Sequence, residues 1–290
     1  MREHLIKSVA IYGKPDTPRV TEIGNRLFDW LKNRNISVYL GEVTARQIDR
    51  TPVGILLDSI PTIIDLVIVL GGDGTILRVA RMLESHDTPI MAVNTGGLGF
   101  LTGFKQDELY EQLANVLAGD FKVSKRSMLK AQLFRGEECI HDYVILNDAV
   151  IKKSTLARII KLETRLNGEM ITAYHGDGLI VSSPTGSTGY SLSAGGPIIV
   201  PHMNALVLTP ICPHTLTHRP IVVSENDIVE VILISADSHV LLTVDGQLGF
   251  PMTCGDRVMI RRAAQETHMI QNPNTTFFEV LCEKLKWGQR

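Results

Sequence analysis

The most informative polar residues in this sequence are five consecutive ones, Gly71 to Thr75, which read Gly-Gly-Asp-Gly-Thr. They follow an uninterrupted apolar run, Leu66 to Leu70, typical of a strand buried on both faces of a parallel sheet. The next segment, ILRVARML, has helical spacing, and we expect Thr75 near its N-cap. Glycines let a phosphate approach the backbone, and the free N–H groups of a helix N-terminus point at it. The predicted phosphate ligands in this turn are Gly71, Gly72, Gly74 and Thr75.

A carboxylate in the middle of such a turn indicates chemistry, because Asp73 would repel a phosphate unless a metal ion or a proton transfer is involved. The turn therefore favours phosphoryl transfer over passive phosphate binding. No Walker loop, G-x-x-x-x-G-K-[ST], occurs in the chain, and the dinucleotide fingerprint fails because Leu77 stands where its third glycine is required. The alternative interpretation is an ordinary tight turn with Asp73 facing solvent.

The first 120 residues alternate between strand-like and helical segments, which predicts a doubly wound α/β domain. The predicted strands are Ile6 to Tyr12, Ile36 to Leu40, Leu66 to Leu70 and Pro89 to Val93, and the predicted helices are Val20 to Lys32, Ile76 to Leu83 and Gln106 to Leu117. Thr51 to Ile60 is ambiguous. A second polar glycine loop, Asn94 to Gly99, also follows a strand, so we expect it to face the same crevice and Asn94 to contact phosphate. A flexible connection is the alternative for that loop.

The pattern becomes β-rich after Gly119, which predicts an antiparallel β-sandwich-like domain over residues 121–267. Turn signals recur at short intervals, at Arg135-Gly136, Asn167-Gly168, Asp237-Ser238 and Asp245-Gly246. The remaining residues, 268–290, include an amphipathic stretch from Phe277 to Trp287, and the sequence leaves open whether they pack back on the first domain. The predicted organisation is therefore an α/β domain over residues 1–120 followed by a β-rich domain.

The composition excludes several classes of protein. The chain has 290 residues, 44% of them hydrophobic and 21% charged, which is typical of a soluble globular protein. A formal charge of −2 gives no general attraction to nucleic acid, and no apolar run reaches the roughly 18 residues of a membrane span. The four cysteines form no C-x-x-C pair, and no signal peptide is evident, so we expect a cytoplasmic protein.

Three polar stretches in the second domain are candidates for a ligand site. Asn147-Asp148 interrupts an apolar, strand-like run, where the alternative is a β-bulge. The run from Gly176 to Pro197 is dense in Gly, Ser and Thr and lacks Lys and Arg, which suits ribose and amide hydrogen bonding; the alternative is a mobile loop. The third stretch, Asp245-Gly246-Gln247, fits a hairpin turn equally well.

Gly71 to Thr75, Asn94 to Thr102, Asn147-Asp148 and Gly176 to Pro197 together resemble the NAD kinases. The resemblance extends from about Asp65 to Gln247. It implies a two-domain fold and transfer of a phosphoryl group to the adenosine-ribose 2′-hydroxyl of NAD, and the residues leave ATP and polyphosphate both open as donors. It also implies a divalent cation, Mg²⁺ or Mn²⁺, and a homotetramer or homodimer.

The resemblance assigns a role to individual residues. Asp73 matches the catalytic carboxylate, either as a base or as the group that orients the hydroxyl, and it would contact NAD together with Gly74. Asn147-Asp148 matches the pair that holds NAD, although many members have Glu at the second position. The further NAD contacts that the resemblance implies are Arg158, His175, Asp177, Thr188, Gly189, Tyr190, Ser191, Leu192, Ser193 and Gln247. Gly189 departs from the Ala that is common there, and no metal ligand is assigned.

Two alternative functions share parts of this pattern. A lipid kinase would share Gly71 to Thr75 but should present an apolar acceptor cleft, and the hydroxyl-rich run from Gly176 to Pro197 disfavours that. A non-catalytic dinucleotide sensor would not need Asp73 as an acid or base.

Overall fold

The computed structural model describes residues 6–49, 55–56, 63–83, 86–97, 99–154, 158–215, 217–235 and 239–287. The chain divides into two compact units. The first comprises Met1–Lys125 and Thr267–Arg290, and the second comprises Arg126–Glu266. For comparison, the sequence-based boundaries are at residues 120 and 267.

The strands of the described residues are β1 Ser8–Gly13, β2 Ser37–Gly41, β3 Ile55–Leu56, β4 Leu66–Gly71, β5 Ile90–Asn94, β6 Val123–Arg135, β7 Glu138–Ile145, β8 Asp148–Lys153, β9 Ile160–Leu166, β10 Glu169–Gly176, β11 Gly178–Ser182, β12 Ala205–Ile211, β13 Ile221–Ser224, β14 Val229–Leu233, β15 Val240–Val244, β16 Leu248–Met252 and β17 Arg257–Ile270. The helices are α1 Pro18–Lys32, α2 Glu42–Gln47, α3 Asp73–Leu83, α4 Leu109–Leu117, α5 Tyr190–Ser193 and α6 Phe277–Leu285.

The first unit is built on a parallel sheet in the order β5-β4-β1-β2-β3. All six residues of β4 are buried, as expected for a strand covered on both faces. Leu66, Ile68 and Leu70 share one apolar cluster with residues of α1 and α4. The apolar side chains of α3 are buried outside that cluster, so α3 covers the other face. The doubly wound α/β prediction is confirmed.

Two details of the first unit away from the glycine turn differ from the prediction. Helix α2 has only six residues, too few for a periodic pattern to reveal it, and it is held to β1 by the backbone N–H of Gly13 donating to Thr44 Oγ1 at 2.8 Å. Helix α4 begins at Leu109 rather than at Gln106. The ambiguous stretch Thr51 to Ile60 lies outside the described residues except for β3.

Residues 267–290 belong to the first unit. Met269, near the end of β17, pairs in parallel with Ile90 of β5, and Ile270 joins the same apolar cluster as β4. Helix α6 begins with a capping box, in which Thr276 Oγ1 accepts the backbone N–H of Glu279 while the Glu279 carboxylate accepts the N–H of Thr276.

The second unit consists of antiparallel sheets, which confirms the predicted β-rich domain. One sheet has the order β10-β9-β14-β17, with β6 pairing with β17 and with β7. The other has the order β13-β12-β11-β8-β15-β16. Apolar residues of both sheets, among them Leu162 and Val231 of the first and Val181 and Leu242 of the second, form one buried cluster. The two sheets therefore share one hydrophobic core, as in a sandwich.

Two of the predicted turns have the backbone that their sequences require. Asn167-Gly168 joins β9 to β10 with φ values of 52° and 86°, and Asp245-Gly246 joins β15 to β16 with φ values of 48° and 65°. Positive φ at both central residues defines a type I′ turn, which favours Asn-Gly and Asp-Gly. The predicted turn at Asp237-Ser238 lies outside the described residues.

Candidate active site

The glycine turn lies at the carboxyl end of β4 and is shorter than predicted. Strand β4 extends to Gly71 and helix α3 begins at Asp73, so only Gly72 separates them. The Gly72 carbonyl accepts the backbone N–H groups of Thr75 at 3.0 Å and Ile76 at 3.3 Å. Gly72 therefore occupies the N-cap, and the prediction of Thr75 near that position was wrong. The helix starts earlier because Asp73 and Gly74 take helical conformations.

The short turn leaves little room for a side chain at position 71. A Cβ atom on Gly71 would lie 2.6 Å from Thr75 Oγ1 and 3.0 Å from Thr75 Cβ. A side chain at position 71 would therefore force Thr75, in the first turn of α3, to shift. The backbone around Gly72 is open instead, because a Cβ added there meets no heavy atom within 4 Å. Open backbone next to a helix N-terminus is what an anion-binding turn needs.

The Asp73 carboxylate is held by the backbone of a second loop. Its Oδ2 accepts the N–H of Phe100 at 2.9 Å, and its Oδ1 accepts the N–H of Leu101 at 3.0 Å. Gly99 packs so closely that a Cβ there would collide with Asp73 Oδ1. The loop is closed on itself by the Gly99 N–H donating to Thr102 Oγ1 at 2.9 Å. Asp73 thus has a fixed orientation and does not simply face solvent.

Asn94 lies beside the glycine turn. The sequence predicted this, because Asn94 and the turn each follow a strand of the same parallel sheet. It is the register partner of Gly71 in the pairing of β4 with β5. Its Oδ1 accepts the N–H of Gly96 at 2.8 Å, and its backbone N–H donates to Phe104 O at 2.8 Å. Asn94 and Gly96 line an open cleft of about 730 Å³, together with basic and acidic side chains of the same unit. The charged residues of that lining are Arg19, Glu22, Arg26, Lys105, Asp107 and Glu283.

Asn147 and Asp148 lie at a junction between two strands, not inside one strand as the apolar run suggested. Strand β7 ends at Ile145 and β8 begins at Asp148. The chain changes sheets here, because β7 pairs with β6 whereas β8 pairs with β11 and β15. The polar pair therefore marks the point where the chain crosses from one sheet to the other.

Asp245 holds this junction in place; the sequence placed it in a candidate ligand stretch but assigned it no role of its own. Its carboxylate accepts the backbone N–H groups of Leu146 at 3.3 Å, Asn147 at 2.7 Å and Asp148 at 3.4 Å. The Asp245 N–H in turn donates to the carbonyl of Asp148 at 2.9 Å. The signal available in the sequence was the Asp-Gly hairpin turn, which reveals a turn but not what its side chain caps.

Asp148 is 4% exposed, and its carboxyl group lies near the Asp245 carboxylate. Burial and, second, the negative charge of Asp245 raise the pKa of Asp148 from 3.8 to about 7. Both residues line a pocket of about 250 Å³. The remaining lining residues are Asn147, Val150, Lys152, Tyr190, Thr243 and Gly246. A strongly shifted carboxyl group in a polar pocket is a typical feature of a functional site.

The hydroxyl-rich run from Gly176 to Pro197 is ordered and packs against the same junction. Strand β11 leads into a 3-10 turn at Gly186–Thr188 and then into α5. A Cβ on Gly186 would collide with the carbonyl of Asn147. The hydroxyl groups of Ser191 and Thr209 hydrogen-bond each other at 2.8 Å, and both residues are completely buried. Mobility of this run is therefore not needed to explain its composition.

The predicted dinucleotide residues of the second unit fall into two groups. Asn147, Asp148 and Tyr190 line the pocket, and a Cβ on Gly189 would lie 3.5 Å from Asn147 Nδ2. Asp177 pairs with Lys153 at 2.8 Å and lies close enough to contribute, after burial, to a raised pKa of Tyr190. Besides Asp177 and Gly189, the predicted residues outside the pocket lining are Arg158, His175, Thr188, Ser191, Leu192, Ser193 and Gln247.

Several residues outside the lining have defined surroundings of their own. Arg158 is exposed just before β9, and His175 is exposed on β10 with its carbonyl accepting the N–H of His214 at 2.9 Å. Gln247 closes the β15–β16 turn through its N–H to Val244 O at 3.0 Å. Thr188 donates its hydroxyl to Thr185 O at 3.2 Å. The roles assigned to these residues by resemblance stay predictions.

Two observations bear on the metal that the resemblance implies. Within the described ranges, no group of three or more His, Cys, Asp and Glu side chains could hold a metal ion. Asp73 is the carboxylate nearest the predicted phosphate ligands in sequence, and both of its oxygens already accept backbone N–H groups. The turn therefore offers one carboxylate, and Mg²⁺ in proteins commonly takes one or two carboxylates together with substrate phosphates and several waters.

The glycine turn with its fixed carboxylate and the polar pocket on a separate antiparallel unit define a two-domain phosphotransferase. Residues 9–121 match the ATP-NAD kinase N-terminal domain, and residues 146–272 match the ATP-NAD kinase C-terminal domain. The chain is 46% identical over 285 residues to the NAD kinase of Geobacter metallireducens, covering 98% of this chain and 100% of that protein. It is 48% identical over 285 residues to the NAD kinase of Geotalea daltonii, with the same coverage.

Solved structures agree with these sequence matches. Yeast NADH kinase, crystallised with NADH, has a TM-score of 0.88 at 26% identity, covering 99% of this chain and 90% of that one. An NAD kinase from Archaeoglobus fulgidus, crystallised with ATP, has a TM-score of 0.76 at 25% identity, covering 96% of this chain and 98% of that one. This chain belongs to the NAD kinase family.

Proposed function

We propose that this protein transfers the γ-phosphoryl group of ATP to the 2′-hydroxyl of the adenosine ribose of NAD and so produces NADP. The observation that carries the proposal is the Asp73 carboxylate, fixed by two backbone N–H groups at the end of β4 beside an open glycine turn. Phosphoryl transfer passes through a loose transition state, so it requires mainly positioning and charge neutralisation. A carboxylate of fixed direction supplies the first of these.

Asp73 acts on the acceptor hydroxyl. Each carboxylate oxygen has two acceptor positions, and the N–H groups of Phe100 and Leu101 occupy one on each oxygen. A substrate hydroxyl can therefore bind at a remaining position without breaking either bond. From there Asp73 accepts the hydroxyl proton, or orients the hydroxyl, as the oxygen attacks the γ-phosphorus; the bond from that phosphorus to the β,γ-bridging oxygen breaks and ADP leaves.

The donor phosphates bind at Gly71, Gly72, Gly74, Thr75 and Asn94 in this proposal. Support comes from the open backbone at Gly72 and the N-terminus of α3. Mg²⁺ or Mn²⁺ bound with the nucleotide would neutralise phosphate charge; phosphate oxygens and water would supply most of its ligands, and Asp73 is the carboxylate that the turn could offer it.

NAD binds through the second unit. Asn147 Oδ1 is buried without a hydrogen-bond partner, and a buried polar atom of this kind needs a ligand group or water to satisfy it. Asp148 and Tyr190 line the same pocket, and the proposal adds the further NAD contacts that the resemblance implies. The serine- and threonine-rich run contributes backbone and hydroxyl groups suited to a ribose.

The protein assembles as a homodimer or homotetramer in the cytoplasm in this proposal. The family resemblance supports the assembly, which size-exclusion chromatography with light scattering measures directly. All four cysteines are free, which suits a reducing compartment. No helix among the described residues is long and apolar enough to cross a membrane.

The test is an ATP-dependent assay of the purified protein with NAD and Mg²⁺, in which NADP is detected with an NADP-specific dehydrogenase. We expect NADP formation, which Asp73→Asn lowers by about 10²- to 10⁴-fold without unfolding the protein. Parallel reactions with diacylglycerol in place of NAD test the lipid-kinase alternative. A wild-type protein that binds NAD but forms no NADP with ATP or polyphosphate, under Mg²⁺ or Mn²⁺, would be a sensor and would refute the proposal.

A further inference from the structure

Asp245 is buried at the turn between β15 and β16, and nothing in the family assignment gives it a role. It is 5% exposed and stands in a left-handed conformation with φ of 48°. Asp-Gly is well suited to this type I′ turn, yet Asn-Gly would serve the turn equally well. The turn therefore does not explain why a carboxylate is buried at this position.

The contacts of its side chain provide an explanation. Three successive backbone N–H groups, those of Leu146, Asn147 and Asp148, converge on the Asp245 carboxylate. The shortest of these bonds, 2.7 Å, is to Asn147. A carboxylate that accepts several backbone N–H groups forms charge-assisted bonds, which are about twice as strong as neutral ones. The backbone of both dinucleotide-binding residues is thereby fixed from the opposite hairpin.

We propose that Asp245 is a positioning residue of the NAD site, which fixes the Asn147-Asp148 backbone through its carboxylate and sets the charge state of the pocket that the pair lines. The inference rests on the proposed function, because it assumes that this pocket receives NAD. Asp245 is not a catalytic residue in this proposal. It acts on substrate through its two neighbours.

The charge effect follows from the groups around Asp148. Asp245 faces it from the hairpin, Lys152 lies on β8, and Tyr190 lies on α5 with Lys152 Nζ 5.7 Å from the centre of its ring. Asp177 and Cys212 lie near Tyr190. Of the two causes that raise the Asp148 pKa, burial is a property of the fold, whereas the charge of Asp245 can be removed by one substitution.

Asp245→Asn isolates that charge. The variant keeps the size of the side chain and a favoured Asn-Gly turn, so we expect it to fold. It retains one carbonyl oxygen but loses the charged second acceptor. We expect the dissociation constant for NAD to rise about 10-fold or more, as is typical when a hydrogen bond to a charged group is lost. The KM for NAD should rise with it, while the KM for ATP and kcat stay near wild type.

The pH profile distinguishes this role from a merely structural one. Calorimetric titration of NAD across the neutral pH range should give an affinity that changes with the protonation of Asp148. We call the pH at which half of this change in NAD affinity has occurred the pH midpoint. It should be lower in Asp245→Asn than in the wild type, because one cause of the raised Asp148 pKa is gone. Hydrogen exchange provides a readout without substrate: amides 146–148 should exchange faster in the variant.

Asp227→Asn is the matched control. Asp227 also lies in a turn of the second unit and accepts a backbone N–H, from Ser224 at 3.0 Å, but it does not line the pocket. We expect its NAD affinity, pH midpoint and exchange at amides 146–148 to match the wild type. Asp245→Gly, which also suits the turn, removes the side chain entirely and should weaken NAD binding at least as much as Asp245→Asn.

The outcomes separate the two proposals. Wild-type activity with unchanged NAD affinity in both Asp245 variants would overturn the positioning role and leave the proposed function intact. A weakened affinity with an unmoved pH midpoint would assign Asp245 a structural role only and also overturn the inference. A folded wild-type protein that neither binds nor phosphorylates NAD would overturn both.

Discussion

Replacing Asp148 by asparagine should stabilise the protein at neutral and alkaline pH. The Asp148 pKa is raised to about 7 from 3.8, first by burial and second by Asp245. Between these two values the folded protein holds a proton that the unfolded chain has released. The unfolded state then binds fewer protons, so stability falls as the pH rises through this window. Above pH 7 the folded protein bears the whole penalty of a buried charge.

The magnitude follows from the size of the shift. A shift of about 3 pKa units at about 1.36 kcal/mol each corresponds to about 4 kcal/mol. The amide side chain that Asp148→Asn introduces does not ionise, so the variant avoids this penalty. Its free energy of unfolding should exceed that of the wild type by up to about 4 kcal/mol at about pH 8, by less than half as much at about pH 5, and by little near pH 4.

Urea unfolding at pH 5 and pH 8 measures this difference. Both tryptophans, Trp30 and Trp287, belong to the first unit, so fluorescence does not report on the unit that contains Asp148. Far-ultraviolet circular dichroism, which follows the β-sheets, is the suitable signal. A stability difference that is the same at pH 5 and pH 8, or a less stable variant at pH 8, would refute the reasoning.

Asp256→Asn serves as a control of opposite sign. Burial raises the Asp256 pKa, but hydrogen bonds from Arg135 and Thr253 outweigh burial and leave the pKa below its usual value. The ionised Asp256 carboxylate therefore stabilises the folded protein above about pH 4. This stabilisation is lost only as the pH falls through the lowered pKa of Asp256. We expect Asp256→Asn to destabilise the protein by a similar amount at pH 5 and pH 8.

Four further predictions concern the site. Asp73→Asn should lower turnover by about 10²- to 10⁴-fold with little change in NAD affinity, and rescue by added Mg²⁺ or Mn²⁺ would indicate a lost metal ligand instead. Gly99→Ala should lower kcat, because its Cβ would displace the Asp73 carboxylate; wild-type kcat in a folded variant would contradict that geometry. Asn147→Ala should raise the KM for NAD much more than that for ATP, and an equal rise would count against its assignment. Amides of Thr188 to Ser193 should exchange more slowly with NAD bound, which hydrogen exchange with and without NAD measures.

Much of the first unit could be predicted from the sequence because its signals are local. Strand β4, the glycine turn and α3 lie in one continuous stretch of sequence. That stretch consists of five apolar residues, then glycines, then apolar residues at helical spacing. The start of α3 was missed by three residues, Ile76 against Asp73, because Asp73, Gly74 and Thr75 are compatible with either a turn or a first helical turn. Helix α2 was missed because six residues carry too little periodicity.

The second unit was less predictable in detail because its polar residues act across sheets. An apolar run around Asn147-Asp148 suggested one strand, yet the chain leaves one sheet and enters another at that point. Apolar residues on both sides of the pair are buried in either arrangement. Only the pairing partners of β7 and β8 distinguish one continuous strand from a chain that changes sheets.

The sequence by itself determined which residues could carry out chemistry, since the Gly-Gly-Asp-Gly-Thr turn and the polar pair are set by residue type and short spacing. The tertiary structure decided what holds them. Asp73 meets the N–H groups of Phe100 and Leu101 because the ends of β4 and β5 are adjacent. Asp245 reaches Asn147, 98 residues away, because Val244 of β15 is in register with Ala149 of β8. A slip of one residue in that register would turn the carboxylate to the other face of the sheet, and no local pattern in the sequence encodes such a pairing.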